Sequence, residues 1–223
     1  MNMEENFFKR KSKKHFDKQA ANYVNTWDGR FCNSMYEGVL KKISGYPFMS
    51  ILDVGCGTGT MLERLVKEYP DIHAAGIDLS EKMIVKASSL LGANVELLVG
   101  DAEKMPWPDN SFDLIICNAS FHHYPKPSQA LVEMQRVLKP YGRLVIADPW
   151  WSDKKRLFIN YYLSSPLNFG GDVRIYSEQE MHQLLSESGF QTIEWELVAK
   201  TYSIATAIAS KKLHSMLNLG EML

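Results

Sequence analysis

Three aspartates and three glycines carry the first chemical signal. Asp53, Asp78 and Asp101 close the apolar runs "ILDV", "GID" and "VELLVGD". Behind Asp53 follows "GCGTG", in which Gly55, Gly57 and Gly59 alternate with Cys56 and Thr58. Glycines permit a tight turn and leave backbone N–H groups open to a ligand. The usual ligand of such a turn is a phosphate, but three features argue against one. The spacing is not Gly-x-Gly-x-x-Gly, no P-loop Lys and Ser follow, and Asp53 would repel an anion while attracting an ammonium. An acid after the second strand can accept from both ribose hydroxyls, and Asp101 can accept from an adenine amino group. Three such acids suit a cationic ligand with an adenosine better than a dinucleotide diphosphate. A second group, "NASFHHYPK", places Asn118, His122, His123 and Tyr124 after a fourth apolar run. Histidine titrates closest to neutral pH, so His122 and His123 are the candidate bases.

These residues need elements that bring strand ends together. From about residue 49, short apolar strands alternate with amphipathic helices. Strands are expected at "MSILDVG", "HAAGIDL", "VELLVGD", "FDLIICNA" and "GRLVIADP". Between them, Met61, Leu62, Leu65, Val66 and Tyr69 share one helical face. Ser80 is an N-cap for a helix carrying Met83, Ile84, Ala87, Leu90 and Leu91. A third helix opens on prolines and aligns Leu131, Met134, Val137 and Leu138. Near-continuous apolar strands mean a parallel sheet covered on both faces. Ser177 and Glu180 form a capping-box signature. "TIEWELVA" and "YSIATAIAS" then follow too closely for a helical crossover, so they pair antiparallel. The expected fold is α/β: a Rossmann-like, seven-stranded mixed sheet with helices on both faces and the last strand antiparallel. Residues 1–48 read as an N-terminal helical cap and 49–223 as the ligand-binding domain. Residues 150–176 are aromatic-rich and irregular, and read as a lid after the fifth strand, with Gly170-Gly171 as hinge or turn. Both outlying segments belong near the carboxyl ends of the strands, where open α/β sheets bind ligands.

Composition narrows the classes. The chain has 223 residues, 45% of them hydrophobic, and a net charge of -1. No global charge points to nucleic acid or an acidic partner. Cys32, Cys56 and Cys117 lack CxxC spacing, which argues against disulfides and zinc and favours the reducing cytoplasm. No apolar run approaches a membrane span, and the N-terminus is not signal-like. His73, His182 and His214 are isolated, and no carboxylate–histidine spacing suggests a metal. The run "KRKSKK", Lys9 to Lys14, raises RNA as a partner. Nearby acids dilute it, no aromatic-and-basic groove accompanies it, and a solvated face or tail is the simpler reading.

Taken in order, "ILDVGCGTG", "GIDLS", "GDAEKMPWPDNSFD", "ICNASFHHYP" and "RVLKPYGRLVIAD" resemble a known family. The chain is similar to class I S-adenosylmethionine-dependent methyltransferases of the small-molecule type that includes the ubiquinone/menaquinone biosynthesis enzymes. The resemblance covers about residues 50–150. It implies that Gly55, Cys56, Gly57, Thr58 and Gly59 wrap the methionine end of the cofactor, with Asp53 near its amino group. Asp78 would hold the ribose, with Leu79 and Met83 beside the adenosine, while Asp101 and Ala102 read the adenine edge. Asn118 would line the cofactor with its backbone, and His123 would lie against it. "FDKQAANYV" resembles the family's N-terminal cap, in which Tyr23 covers the cofactor. Tyr141 departs from the pattern, since this family usually has Gly there.

The reaction implied is transfer of the sulfonium methyl to an N, O or C nucleophile of a small molecule, leaving S-adenosylhomocysteine. A base is needed only if the acceptor must lose a proton. Tyr23, Trp27, Asp148, Trp150, Trp151 and the 150–176 segment are expected to build the acceptor pocket. The tryptophans, Tyr161, Tyr162 and Phe169 serve equally as lid packing. Three other readings compete: a non-catalytic S-adenosylmethionine-binding protein, an NAD(P)-dependent oxidoreductase and an RNA methyltransferase. The acceptor and the oligomeric state are not legible at this level.

Overall fold

The computed structural model describes residues 3–165, 168 and 170–210. Phe169 and His214 lie outside the described residues. Strands β1 (Ser50–Val54), β2 (His73–Asp78), β3 (Glu96–Val99), β4 (Phe112–Asn118), β5 (Leu138–Pro149), β6 (Phe190–Val198) and β7 (Tyr202–Ala209) form one sheet. Their order is β3-β2-β1-β4-β5-β7-β6. β1 pairs in parallel with β2 on one side and β4 on the other. The chain therefore reverses direction across the sheet between β1 and β4, which opens a crevice at their carboxyl ends. β7 is the antiparallel strand and lies between β5 and β6, one place in from the rim.

The period of two decides which face each strand residue joins. Leu52, Val54, Ile115, Cys117, Leu144 and Ile146 point to one core. Ile51, Leu114, Ile116, Val145 and Ala147 point to the other. Helix α4 (Thr60–Glu68) packs Met61, Leu62 and Leu65 onto the second face. Helices α6 (Pro127–Val137) and α8 (Glu178–Glu187) cover the first with Leu131, Met134, Met181 and Leu185. Truncating such a buried leucine to alanine costs about 2–5 kcal/mol. The Ser177–Glu180 capping box is present. Ser80 caps α5 (Glu81–Leu91), where Met83, Ile84 and Ala87 are buried but Leu90 faces solvent.

The N-terminal segment forms α1 (Met3–Gln19), a 3-10 turn, α2 (Trp27–Ser34) and α3 (Tyr36–Ile43). Met35, Tyr36, Val39 and Ile43 share the second core with the sheet. Helix α1 runs past the strand ends against α5 and the Phe121–His123 turn.

The 150–176 segment is less irregular than expected, because it contains helix α7 (Asp153–Leu163). Its Leu157, Phe158 and Tyr161 are exposed while Ile159 and Leu163 turn inward, so apolar residues fall on both faces and no single stripe announces the helix in sequence. Asn160 ties it to the strap that follows (residues 170–176), donating to Ile175 O at 2.9 Å and accepting from Ile175 N at 2.8 Å. Gly171 serves close packing: a Cβ there would stand 2.5 Å from Ser12 N, and its φ is +86°.

Candidate active site

The glycine loop joins β1 to α4. A Cβ at Gly55 would stand 2.0 Å from Ser120 Oγ, so only glycine fits that contact. The loop is anchored from β2: Asp78 Oδ2 accepts from Gly57 N–H at 2.9 Å, and Oδ1 accepts from Ser80 N–H at 2.7 Å. Burial pushes the Asp78 carboxyl up to about 6, while those two N–H groups pull it down. Asp53, inside β1, is 2% exposed. Its carboxylate has no hydrogen-bond or ion-pair partner among the described residues. Burial, and then the Asp78 charge, push it up to about 8. An uncompensated acid at that depth favours a cation beside it.

A cleft beyond the loop is bordered by Asp78, Leu79, Asp101 and Ala102. Helix α1 roofs it with Lys9, Ser12, Lys13 and Phe16. Lys9 Nζ lies 2.7 Å from Asp101 Oδ2 and also bonds Glu103. Asp17 accepts from Ser80 Oγ at 2.6 Å, while Ser80 Oγ caps α5 at Met83 N–H. The basic run is thus split: Lys9 and Ser12 turn into the site, Arg10 and Lys14 border a surface groove, and Lys13 borders both. It is not a uniformly solvated face.

Tyr23, Cys56, Gly57, Thr58, Met83, Asn118 and His123 border the cleft on the other side of Gly55. Met83 borders this cleft and not the one lined by Asp101 and Ala102. Asn118 is buried and donates to Cys32 O at 3.2 Å, and its own Oδ1 is unpaired. Gly59 starts α4 with a φ of +78°. Cys56 is not activated: burial and the charges of Asp78 and Asp53 push its thiol up.

The third space is a cavity of about 870 Å³, lined by Tyr23, Trp27, Phe31, Trp150, Trp151 and Tyr162 among others. Trp27 stacks on Phe31 with ring centroids 5.2 Å apart. His122 and His123 stand in its wall. His122 Nδ1 lies 2.8 Å from Asp148 Oδ1, and Asp148, at the end of β5, is 3% exposed. Burial opposes charge on His122, yet the Asp148 carboxylate prevails and raises it to about 8. His123 goes the other way. Burial and the neighbouring His122 charge lower it to about 3. Its ring meets Phe16 edge-on at 5.1 Å, and it borders the two clefts as well as the cavity.

Several of these neighbours carry no local signal in sequence. Asp172 reaches the histidines from the strap, 3.2 Å from His123 Nδ1 and 3.9 Å from His122 Nε2. His15 and Asp28 pair at 2.8 Å across the cavity wall. Lys9 was legible only as part of a basic run. The "FDKQAANYV" motif did contain Asp17, whose bond to Ser80 seats α1.

Comparisons with known proteins bear on the family and the fold. A family model described as a methyltransferase domain matches residues 47–221. The chain is 36% identical over 127 residues to a demethylmenaquinone methyltransferase of Listeria monocytogenes, covering 51% of this chain and 53% of the relative. It spans about half the length of the curated relatives it matches. A methyltransferase of Aquifex aeolicus, solved as S-adenosylmethionine-dependent, superposes with a TM-score of 0.61 at 30% identity, over 78% of this chain and 89% of that one. The partner of the Trm112 methyltransferase activator in a Haloferax volcanii complex gives a TM-score of 0.73, over 88% and 98%. At 19% identity that last match speaks for the fold alone. Strand order, glycine loop and family match converge: this chain belongs to the methyltransferase domain family and has the architecture of class I S-adenosylmethionine-dependent methyltransferases.

Proposed function

We propose that the protein transfers the methyl group of S-adenosylmethionine to an N, O or C nucleophile of a small molecule and releases S-adenosylhomocysteine. One observation carries this reading: the cofactor-side clefts and the 870 Å³ cavity share a wall, with His123 and Phe16 bordering all three spaces. The cofactor lies along the glycine loop. Asp53 faces its ammonium, Asp78 its ribose, and Asp101 its adenine once Lys9 gives way. Tyr23 and Phe16 close over it, and the acceptor enters the cavity from the other side.

In the transfer the methyl–sulfur bond breaks, the acceptor's lone pair forms the new bond, and the sulfonium leaves as a neutral thioether. Positioning supplies much of the rate. Where the acceptor carries a proton, His122 takes it: Asp148 accepts from Nδ1–H, which leaves Nε2 as the basic nitrogen. The aromatic lining suits a planar or cationic acceptor. Demethylmenaquinone, named for the Listeria relative, is the first planar acceptor to try.

The test is calorimetric titration with S-adenosylhomocysteine, with an Asp78→Ala variant and an NADH control. Micromolar binding, about -8 kcal/mol, lost in the variant and absent with NADH supports the reading. Turnover of S-adenosylmethionine against an acceptor panel then separates an enzyme from a non-catalytic binder. Preference for NADH would replace the reading with an oxidoreductase.

A further inference from the structure

We propose that His122, His123 and Asp172 form a binding site for a first-row divalent metal ion in the wall of the acceptor cavity. Nothing in sequence spacing points there, because Asp172 arrives from the strap and the two histidines are adjacent in the chain.

The ligand atoms of the three side chains all lie within 4.8 Å of one another. Asp172 Oδ1 is 3.2 Å from His123 Nδ1 and 3.9 Å from His122 Nε2. Donors bound tetrahedrally at about 2.1 Å stand roughly 3.4 Å apart, so the set closes on an ion with small side-chain movement. Two features favour a cation over a bare polar cluster. His123 Nδ1 is buried and makes no hydrogen bond, although Asp172 Oδ1 stands 3.2 Å away. The His123 side chain is 10% exposed, so this is an orphan nitrogen aimed into the cluster. Asp148 meanwhile accepts from His122 Nδ1, which directs the Nε2 lone pair toward Asp172. A carboxylate behind the far nitrogen is the usual support of a metal-binding imidazole.

The third ligand is also held in place. His122 O accepts from Val173 N at 2.7 Å and Arg174 N at 3.2 Å, which fastens the strap directly to the histidine turn. Buried Asn168 braces the other end, donating to Asp172 O at 2.6 Å. The Asp28 carboxylate adds negative charge to the surroundings of both rings. Two imidazoles and one carboxylate suit zinc, cobalt or iron(II) better than magnesium or calcium.

Three protein ligands leave positions open toward the cavity. An acceptor with an oxygen or nitrogen donor beside the methylated atom would occupy one of them. That assignment of the open positions rests on the methyltransferase reading, whereas metal binding itself does not. With the ion bound, His122 Nε2 is a ligand, and polarisation of the acceptor replaces proton uptake by the imidazole.

The experiment uses the tag-free protein after chelator treatment and removal of the chelator. Cobalt(II) chloride is titrated and followed by visible absorption, with zinc sulfate as a competitor in calorimetry. The expected result is one equivalent bound at micromolar or lower concentration, with cobalt displaced by zinc. Asp172→Asn and His123→Gln should each weaken binding at least tenfold, and Asp148→Asn by about tenfold through its support of His122. S-adenosylhomocysteine is titrated into every sample, so retained cofactor affinity in Asp172→Asn shows an intact fold. Cofactor binding without a saturable cobalt spectrum would overturn the metal site and leave the methyltransferase reading standing. Cobalt binding unaffected by Asp172→Asn and His123→Gln would overturn it equally. Cobalt binding without cofactor binding would support the site and count against that reading.

Discussion

Binding of the cofactor should expel a proton from Asp53. Without a ligand this carboxyl is 2% exposed, has no partner among the described residues and titrates at about 8. Pairing with an ammonium requires its charged form. Between about pH 6.5 and about pH 7.5 the ionised fraction grows from roughly 0.03 to roughly 0.24, so S-adenosylhomocysteine affinity should rise about eightfold, or ~1.2 kcal/mol. Asp78, titrating at about 6, contributes less than about twofold over the same interval. Calorimetry at the two pH values measures the gain. Repeating each titration in two buffers of different ionisation enthalpy should count about one proton released per cofactor. In Asp53→Asn the proton release should vanish, and binding should weaken about tenfold or more from loss of a charged hydrogen bond. Equal affinity at both pH values, or the same pH dependence in Asp53→Asn, would refute the reasoning, because the linked ionisation would then be absent or elsewhere.

The same group governs stability. An acid raised in the folded state contributes stability that is present below its unfolded pKa and lost as pH rises through the folded one. The cofactor-free protein should therefore lose thermal stability between about pH 4 and about pH 8, and Asp53→Asn should flatten that slope in melting scans. Asp78→Ala removes the acceptor of two loop N–H groups, and should weaken S-adenosylhomocysteine at least about 30-fold by calorimetry. His122→Gln should lower turnover by about 10²-fold or more on an acceptor that must lose a proton, with cofactor affinity unchanged. In the metal-free protein, wild-type kcat/KM on such an acceptor should rise through about pH 8. Tyr141 has a φ of +65° and an exposed side chain. Tyr141→Gly should relieve about 1–2 kcal/mol of left-handed strain against about 0.5–1 for glycine's entropy, a small net gain in denaturant midpoint.

Much of the frame is written in local pattern. The alternation of Ile51, Leu52 and Val54 around Asp53 places the acid in a buried strand, and its pairing with β2 and β4 puts it beside the crevice. Ser80, and Ser177 with Glu180, announce helix starts because a cap is satisfied within one turn. The closeness of β6 and β7 in the chain allows only an antiparallel pair. Helix α7 was not legible, because its apolar residues lie on both the exposed and the inward face and leave no single stripe to read.

What sequence determined by itself was therefore the sheet, its covering helices and the acids that lie in or just after three successive strands. Each depends on residues near one another in the chain, where periodicity and capping act. Tertiary structure alone decided that Lys9 meets Asp101, that His122 rests on Asp148, and that Asp172 turns toward two histidines. Those partners come from α1, β5 and the strap. Their meeting is set by how the helices and strap pack across the strand ends, and no spacing along the chain encodes that distance.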